Sequence, residues 1–172
     1  MTLPALTNQV ASDIPNMGKL LTLKGTSVAD ASTSGTGEDT LASITLTAGD
    51  VGTTGVLKIF AAGYSTGMNS SKSVKLHFGA DSWPVIVTNV AGRWEIEATI
   101  MLSAAAVERV YIQGRYGCYG TGSGYTKVVN IYDTAAVSTA VNVTIKTTGE
   151  CLSASDSITS TMFYAQQIQL GS

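Results

Sequence analysis

The sequence contains little charge. Only 13% of its 172 residues are Asp, Glu, Lys or Arg, and the formal net charge at pH 7 is −2. Proteins that bind nucleic acid or an anionic membrane surface concentrate lysine and arginine on one face. With 10 basic against 12 acidic residues, the sequence predicts neither of these partners.

Side chains that commonly hold metals or act as catalytic bases are also scarce. There is one histidine, His77, and there are two cysteines, Cys118 and Cys151. A structural zinc site takes four such ligands, and no D-x-D-x-D-G spacing supports calcium binding, so no cofactor is predicted. The two cysteines could pair or remain free, and free thiols are favoured for a protein kept inside the cell.

Long apolar segments are missing as well. No run approaches the ~20 apolar residues that cross a bilayer, and the N-terminal residues lack the basic start and apolar stretch of a signal peptide. These features predict a protein that is made and kept in the cytoplasm of its producer, without membrane insertion.

A glycine-rich stretch, RYGCYGTGSGYTK, occupies residues Arg115 to Lys127. A phosphate-binding loop needs the spacing G-x-x-x-x-G-K-[ST] at the N-terminus of a helix. Here Lys127 follows Gly124 by three positions and precedes VVNIY, which is typical of a strand. We therefore predict a hairpin loop between two strands.

The segment GYSTG, Gly63 to Gly67, matches the nucleophile elbow G-x-S-x-G. That elbow holds its serine between a strand and a helix. The following residues, MNSSKS, have no helical period, and His77 comes too early for the usual order of a catalytic triad. The segment is predicted to be a hairpin turn, and no catalytic residues are predicted.

Strand-like runs separated by turn signals fill the chain from Thr40 onward. In GRWEIEATIML, Trp94, Ile96 and Ile100 alternate with polar residues, which is typical of a half-buried antiparallel strand. About ten such runs without a convincing helix predict an all-β, antiparallel jelly-roll sandwich. The predicted strands are Lys19–Lys24, Leu41–Thr47, Val56–Ser65, Ser73–Gly79, Pro84–Thr88, Gly92–Leu102, Val107–Tyr116, Tyr125–Asp133, Val141–Lys146 and Ile158–Leu170.

Two further segments are predicted to lie outside these strands. Residues 1–18, with Pro4 and Pro15, lack a sustained apolar period and are predicted to form an extended N-terminal arm. The polar segment Gly25–Asp39 is predicted to be a long loop. Residues 19–172 then form the sandwich domain. The arm is expected to anchor the protein to a neighbouring subunit by burying Leu3, Leu6 and Ile14.

One predicted strand, Val56–Ser65, has apolar residues on both faces. Three of them would fill the core: Leu57, Ile59 and Ala61. Three others would lie on the opposite face: Val56, Phe60 and Tyr64. Exposure of such an apolar row is unfavourable in a monomer, whereas a threefold interface would bury it. The sequence therefore predicts a homotrimer.

Five tyrosines surround the glycine-rich loop: Tyr111, Tyr116, Tyr119, Tyr125 and Tyr132. Tyrosines at the tip of a sandwich can stack on sugars or pack against a protein, although placement in the core and rim is the favoured interpretation for tyrosines of this kind. Tyr119 and Tyr125 are the candidates for contact with a receptor.

The order of the strands resembles a jelly-roll module of tailed-bacteriophage virion proteins, over Asp39 to Gln169. The resemblance is carried by EDTLASITLTAGDVG, GVLKIFAAGYSTGMNSSKSVKLHFGA, GRWEIEATIMLS, ERVYIQGRY, AVNVTIKTTGE and DSITSTMFYAQQIQL. It implies a structural or adsorption component, commonly trimeric, without catalytic residues.

The resemblance leaves two classes of function. The first is a trimeric capsid decoration or cement protein, assembled in the host cytoplasm and anchored by its arm to the major capsid protein or a tail protein at the virion surface. The second is a component of a tail or fibre tip whose tyrosine-rich loops bind a host surface glycan or receptor. The absence of a long repetitive shaft favours the first.

Overall fold

The computed structural model describes residues 22–168, apart from positions 28–29, 50, 53–54, 69, 104–106 and 119–126. The predicted arm, with Leu3, Leu6 and Ile14, lies outside the described residues, as do Tyr119 and Tyr125.

Every regular element of the described chain is a β-strand, which confirms the predicted all-β class. Each of the ten predicted strands overlaps an observed one. The strands are β1 (Thr22–Ser27), β2 (Ala31–Ser32), β3 (Glu38–Leu46), β4 (Gly55–Thr66), β5 (Lys72–Phe78), β6 (Asp81–Thr88), β7 (Gly92–Leu102), β8 (Glu108–Cys118), β9 (Lys127–Ala135), β10 (Val143–Cys151) and β11 (Ser157–Ile168).

The strands form two antiparallel sheets. The large sheet has the order β1-β11-β4-β7-β8-β9, and the short β2 also pairs with β11. The small sheet has the order β3-β10-β5-β6. β8 and β9 pair as a hairpin with Tyr116 opposite Lys127, which confirms the prediction for the strands on either side of the glycine-rich loop.

The hydrophobic core lies between the two sheets. Trp94, Ile96 and Ile100 of β7 are at most 1% exposed, as their alternation with polar residues predicts. The three residues of β4 that were predicted to face inward are also buried: Leu57, Ile59 and Ala61. The period-two pattern therefore identifies which side of each central strand is buried.

The prediction of a long loop over Gly25–Asp39 is wrong. β1 continues to Ser27, β2 follows, and β3 begins at Glu38. The hydroxyl residues of this segment bond to β11: the Ser32 and Thr159 hydroxyls are 2.7 Å apart, and the Thr33 amide donates to the Ile158 carbonyl at 2.9 Å. Pairing with a distant strand overrides the loop-like composition.

A buried ion pair connects two turns. The Nζ of Lys72, at the start of β5, lies 2.8 Å from Oδ2 of Asp156, and both side chains are at most 3% exposed. The Lys72 ammonium also donates to the Ser70 carbonyl at 3.1 Å, and the Ser70 hydroxyl donates to Asp156. The bonds from Lys72 and then Ser70 lower the pKa of Asp156. The turn before β5 is thus fixed to the turn before β11.

We expect Lys72→Met to destabilise the fold, because it leaves the Asp156 carboxylate buried without its counter-charge. The double variant Lys72→Met/Asp156→Leu should lose less free energy of unfolding than the single variant, since it removes both charges. Urea denaturation of the three proteins at pH 7 measures this order. Equal losses for the single and double variants would show that the ion pair does not act as a unit.

Candidate functional site

The candidate site is the side of the large sheet that faces away from the small sheet, which we call the front face. Its central residues are Val56, Phe60, Met101, Tyr111 and Tyr164. One row of cross-strand neighbours on β11, β4 and β7 consists of Ile168, Val56 and Met101. A second row, four residues further along β4, consists of Tyr164, Phe60 and Glu97. Front-face side chains therefore meet from strands that are far apart in sequence.

The front face is rich in apolar and aromatic side chains. The rings of Phe60 and Tyr164 stack with centroids 5.4 Å apart and an interplanar angle of 23°. Those of Tyr111 and Tyr132 lie 4.8 Å apart. Of the ten large apolar residues that are exposed in the described chain, five lie on this face: Leu23, Met101, Val128, Tyr132 and Met162.

The three residues predicted to form a trimer interface lie on this face. Val56, Phe60 and Tyr64 alternate along β4 with buried residues, and each is partly exposed. Phe60 is partly covered by Tyr164, which sequence reasoning missed. The alternation of Met162 and Tyr164 with the buried Phe163 and Ala165 is the signal that would have identified Tyr164.

A shallow groove of about 410 Å³ separates the two aromatic pairs. Two hydrogen bonds link polar side chains at the groove: the Lys58 ammonium donates to the Thr99 hydroxyl at 2.6 Å, and Arg115 donates to Glu97 at 3.5 Å. Arg115 also approaches Glu95 at 3.8 Å. The groove thus has aromatic walls and a polar floor.

The opposite side of the sandwich, which we call the rear face, is polar. It is the outer side of the small sheet, and its central residues are Glu38, Lys75, His77, Lys146 and Thr148. The Thr148 hydroxyl donates to Glu38 at 2.7 Å. Hydrogen bonds from Lys75 and Thr148 lower the pKa of Glu38 to about 2. The charged side chains of this face pair with one another, as Lys75 does with Glu38 at 2.5 Å.

His77 does not form a catalytic triad on the rear face. Its Nε2 lies 2.9 Å from the Thr148 hydroxyl and 3.2 Å from Glu38, so both neighbours contact the same ring nitrogen. A triad places the acid on the other nitrogen. Burial, followed by the charge of Lys146, lowers the pKa of His77, which favours the neutral ring.

The GYSTG segment has a packing role in the structure. Ser65 is 2% exposed, and its hydroxyl lies 3.2 Å from the Tyr116 hydroxyl. A Cβ on Gly63 would meet the Thr159 carbonyl oxygen at 1.9 Å and the Trp94 ring at 2.6 Å. The predicted hairpin is wrong here, because β4 and β5 belong to different sheets and the turn crosses between them.

The structure also describes the side chains of one of the two cysteines and, among the tyrosines near the glycine-rich loop, of Tyr116 and Tyr132. Cys151 is a free, buried cysteine, as predicted. Tyr116 is 3% exposed and belongs to the core, whereas Tyr132 is 78% exposed on β9. Within the part of the chain that the structure describes, no three His, Cys, Asp or Glu side chains group to hold a metal ion.

None of the described residues belongs to a helix long and apolar enough to cross a membrane.

No family model matches the sequence, and no curated protein is significantly similar to it.

Glu108, at the start of β8, is a buried carboxyl group away from both faces. It is 1% exposed, and its Oε2 has no hydrogen-bond partner among the described residues. Burial raises its pKa above the ordinary 4.5, against the opposing effect of backbone amides at Glu108, Ser103 and Val137. The folded protein thus holds this proton more tightly than the unfolded chain does, and stability falls as the pH rises above 4.5.

We expect Glu108→Gln to be more stable than the parent protein at pH 7, because glutamine removes the cost of a buried charge. The difference in free energy of unfolding should be small near pH 4 and grow with pH until Glu108 is fully ionised. Urea denaturation of both proteins between pH 4 and 8 measures this curve. A difference independent of pH would contradict the assignment.

Proposed function

We propose that this chain is a non-enzymatic structural protein of a tailed-bacteriophage virion. In this proposal it is a homotrimeric capsid decoration protein, assembled in the host cytoplasm and displayed at the virion surface. The resemblance of the strand sequences to jelly-roll virion proteins supports the virion assignment. The two antiparallel sheets agree with the β-sandwich part of that resemblance.

The contrast between the two outer faces carries the proposal of self-association. Exposed antiparallel sheets commonly place polar residues toward water, and the rear face does so with Glu38, Lys75 and His77. The front face instead presents Val56, Met101 and the Phe60–Tyr164 pair. Contiguous exposed apolar residues mark interaction surfaces. The threefold interface is accordingly placed on the front face, around Val56, Phe60 and Tyr64.

The N-terminal arm is proposed to anchor the trimer to the major capsid protein or a tail protein. β1 begins at Thr22 on the edge of the large sheet, and among the described strands it pairs with β11. The described part of the chain therefore begins at the margin of the domain. An extended segment of 18 residues can span ~60 Å.

A second candidate function is binding of a host surface glycan. The groove between Phe60–Tyr164 and Tyr111 favours it, because sugars stack their apolar faces on aromatic rings and bond their hydroxyls to polar side chains. Trimer formation and glycan binding cannot both use this surface. A trimer that covers Phe60 closes the groove, whereas a receptor-binding monomer keeps it open.

Phe60→Arg is expected to break the threefold interface, because it replaces the ring that stacks on Tyr164 at the centre of the front face with a charged side chain. Light scattering at micromolar concentration should give the parent protein a mass that is a multiple of three times the 17.8 kDa chain mass, and should give the variant one third of the parent mass. Thr45→Arg, on the rear strand β3, is the matched control and should remain trimeric. A parent protein that is monomeric would contradict the proposed trimer.

Deletion of residues 2–17 is expected to leave the trimer intact and to abolish binding to virions stripped of the native protein, because the arm and not the sandwich makes the anchoring contact. Light scattering and co-sedimentation with virions measure the two properties. Unimpaired binding by the deletion variant would remove the main reason for preferring decoration over receptor recognition.

A further inference from the structure

The edge strands of the two sheets differ in how they are protected against further pairing. An edge strand exposes a row of unpaired backbone groups, and bulges or prolines commonly prevent other strands from adding to it. β1 has a register shift at Leu23/Gly25. β3 has one opposite Thr147/Thr148, and β6 has one opposite Val74/Lys75 together with Pro84.

β9 has none of these devices. It pairs with β8 through nine consecutive residue pairs without a register shift, and it contains no proline. No described strand pairs with its other edge. Val128 is 53% and Tyr132 is 78% exposed. β9 is therefore an edge strand of nine residues with an uninterrupted register and exposed apolar side chains, which is the kind of strand that accepts another strand.

The sequence of β9 is complementary to itself in the antiparallel direction. Centred on Asn130, the residues KVVNIYD place Lys127 opposite Asp133 of a second copy. The same register places Val128 opposite Tyr132 and Val129 opposite Ile131. Opposite charges and aromatic or β-branched pairs are the cross-strand combinations that stabilise antiparallel sheets.

We propose that β9 pairs with β9 of a second copy of this chain, antiparallel and centred on Asn130. The two large sheets then form one continuous sheet. The twofold axis runs perpendicular to that sheet, so both front faces point to the same side. This contact is separate from the front-face interface and does not rest on it.

The charged ends of β9 are accessible for this pairing. Asp133 accepts a hydrogen bond from the Trp83 indole at 2.8 Å, and its side chain remains exposed. Lys127 is exposed and donates to the Val87 carbonyl at 3.3 Å. Two Lys127–Asp133 pairs, one at each end, would flank the apolar centre of the contact.

Exchanging the charges tests the register. Lys127→Asp places Asp opposite Asp133 at both ends, and we expect it to weaken the β9 association at least tenfold in sedimentation velocity. Lys127→Asp/Asp133→Lys reverses both charges and should restore the association to within a few-fold of the parent. A Lys127→Asp variant that associates as tightly as the parent, or a double variant that stays as weak as the single one, would overturn the proposal.

Disulfide trapping tests the centre of the contact without relying on charge. In a background with Cys118→Ser, Asn130→Cys should form a disulfide-linked dimer rapidly, because opposed residues of antiparallel strands lie ~4.5–5.5 Å apart at Cα, within the range of a disulfide. Thr134→Cys is the matched control on the same face of β9. Its copies would be ~27 Å apart along the paired strands. Equal rates of crosslinking for the two variants would contradict the register.

Each result separates this contact from the proposed trimer. Phe60→Arg should remove the threefold interface and leave a dimer that Lys127→Asp dissociates. If the trimer proposal fails and the edge pairing holds, the parent protein itself is a dimer. Association that persists in Lys127→Asp but is lost on deletion of residues 2–17 gives a third outcome. That outcome would place the N-terminal segment on this edge and overturn the β9 pairing.

Discussion

A β-strand directs alternate side chains to opposite sides, so a sheet with apolar residues at both parities needs cover on both faces. The large sheet has apolar residues at both parities. Its inner side is covered by the small sheet through residues such as Leu57 and Ile96. Its front face, with Phe60 stacked on Tyr164 and Met101 half exposed, has no covering layer within the described chain. The proposed assembly follows from this imbalance.

Local sequence pattern predicts the strands well because alternation and turn residues are local signals. β7 shows this most clearly, since Trp94, Ile96 and Ile100 are all buried where the pattern places them. The same reasoning missed β2, which has two residues and is held by bonds to the distant β11. It also misjudged the turn after β4, because which sheet receives the next strand depends on pairing with β10, far along the chain.

The candidate site was predictable only in part, for a related reason. The parity of β4 places Val56, Phe60 and Tyr64 on one face without any tertiary information. Their neighbours on that face come from β7 and β11, and β11 has a register shift between Ser160 and Met162. A bulge reverses the parity of the residues beyond it. The alternation from Met162 to Ala165 therefore puts Tyr164 on the same side of β11 as Met162, but the pairing of Tyr164 with Phe60 follows only from the structure.

Methionine oxidation of the assembled protein tests the central claim most directly. Met101 and Met162 lie on the front face and are 52% and 46% exposed in the single chain, while Met68, in the turn after β4, is 67% exposed. If the front face is buried between copies, peroxide should oxidise Met101 and Met162 several-fold more slowly than Met68, with mass spectrometry of peptides as the readout. Comparable oxidation rates at all three methionines would contradict the account.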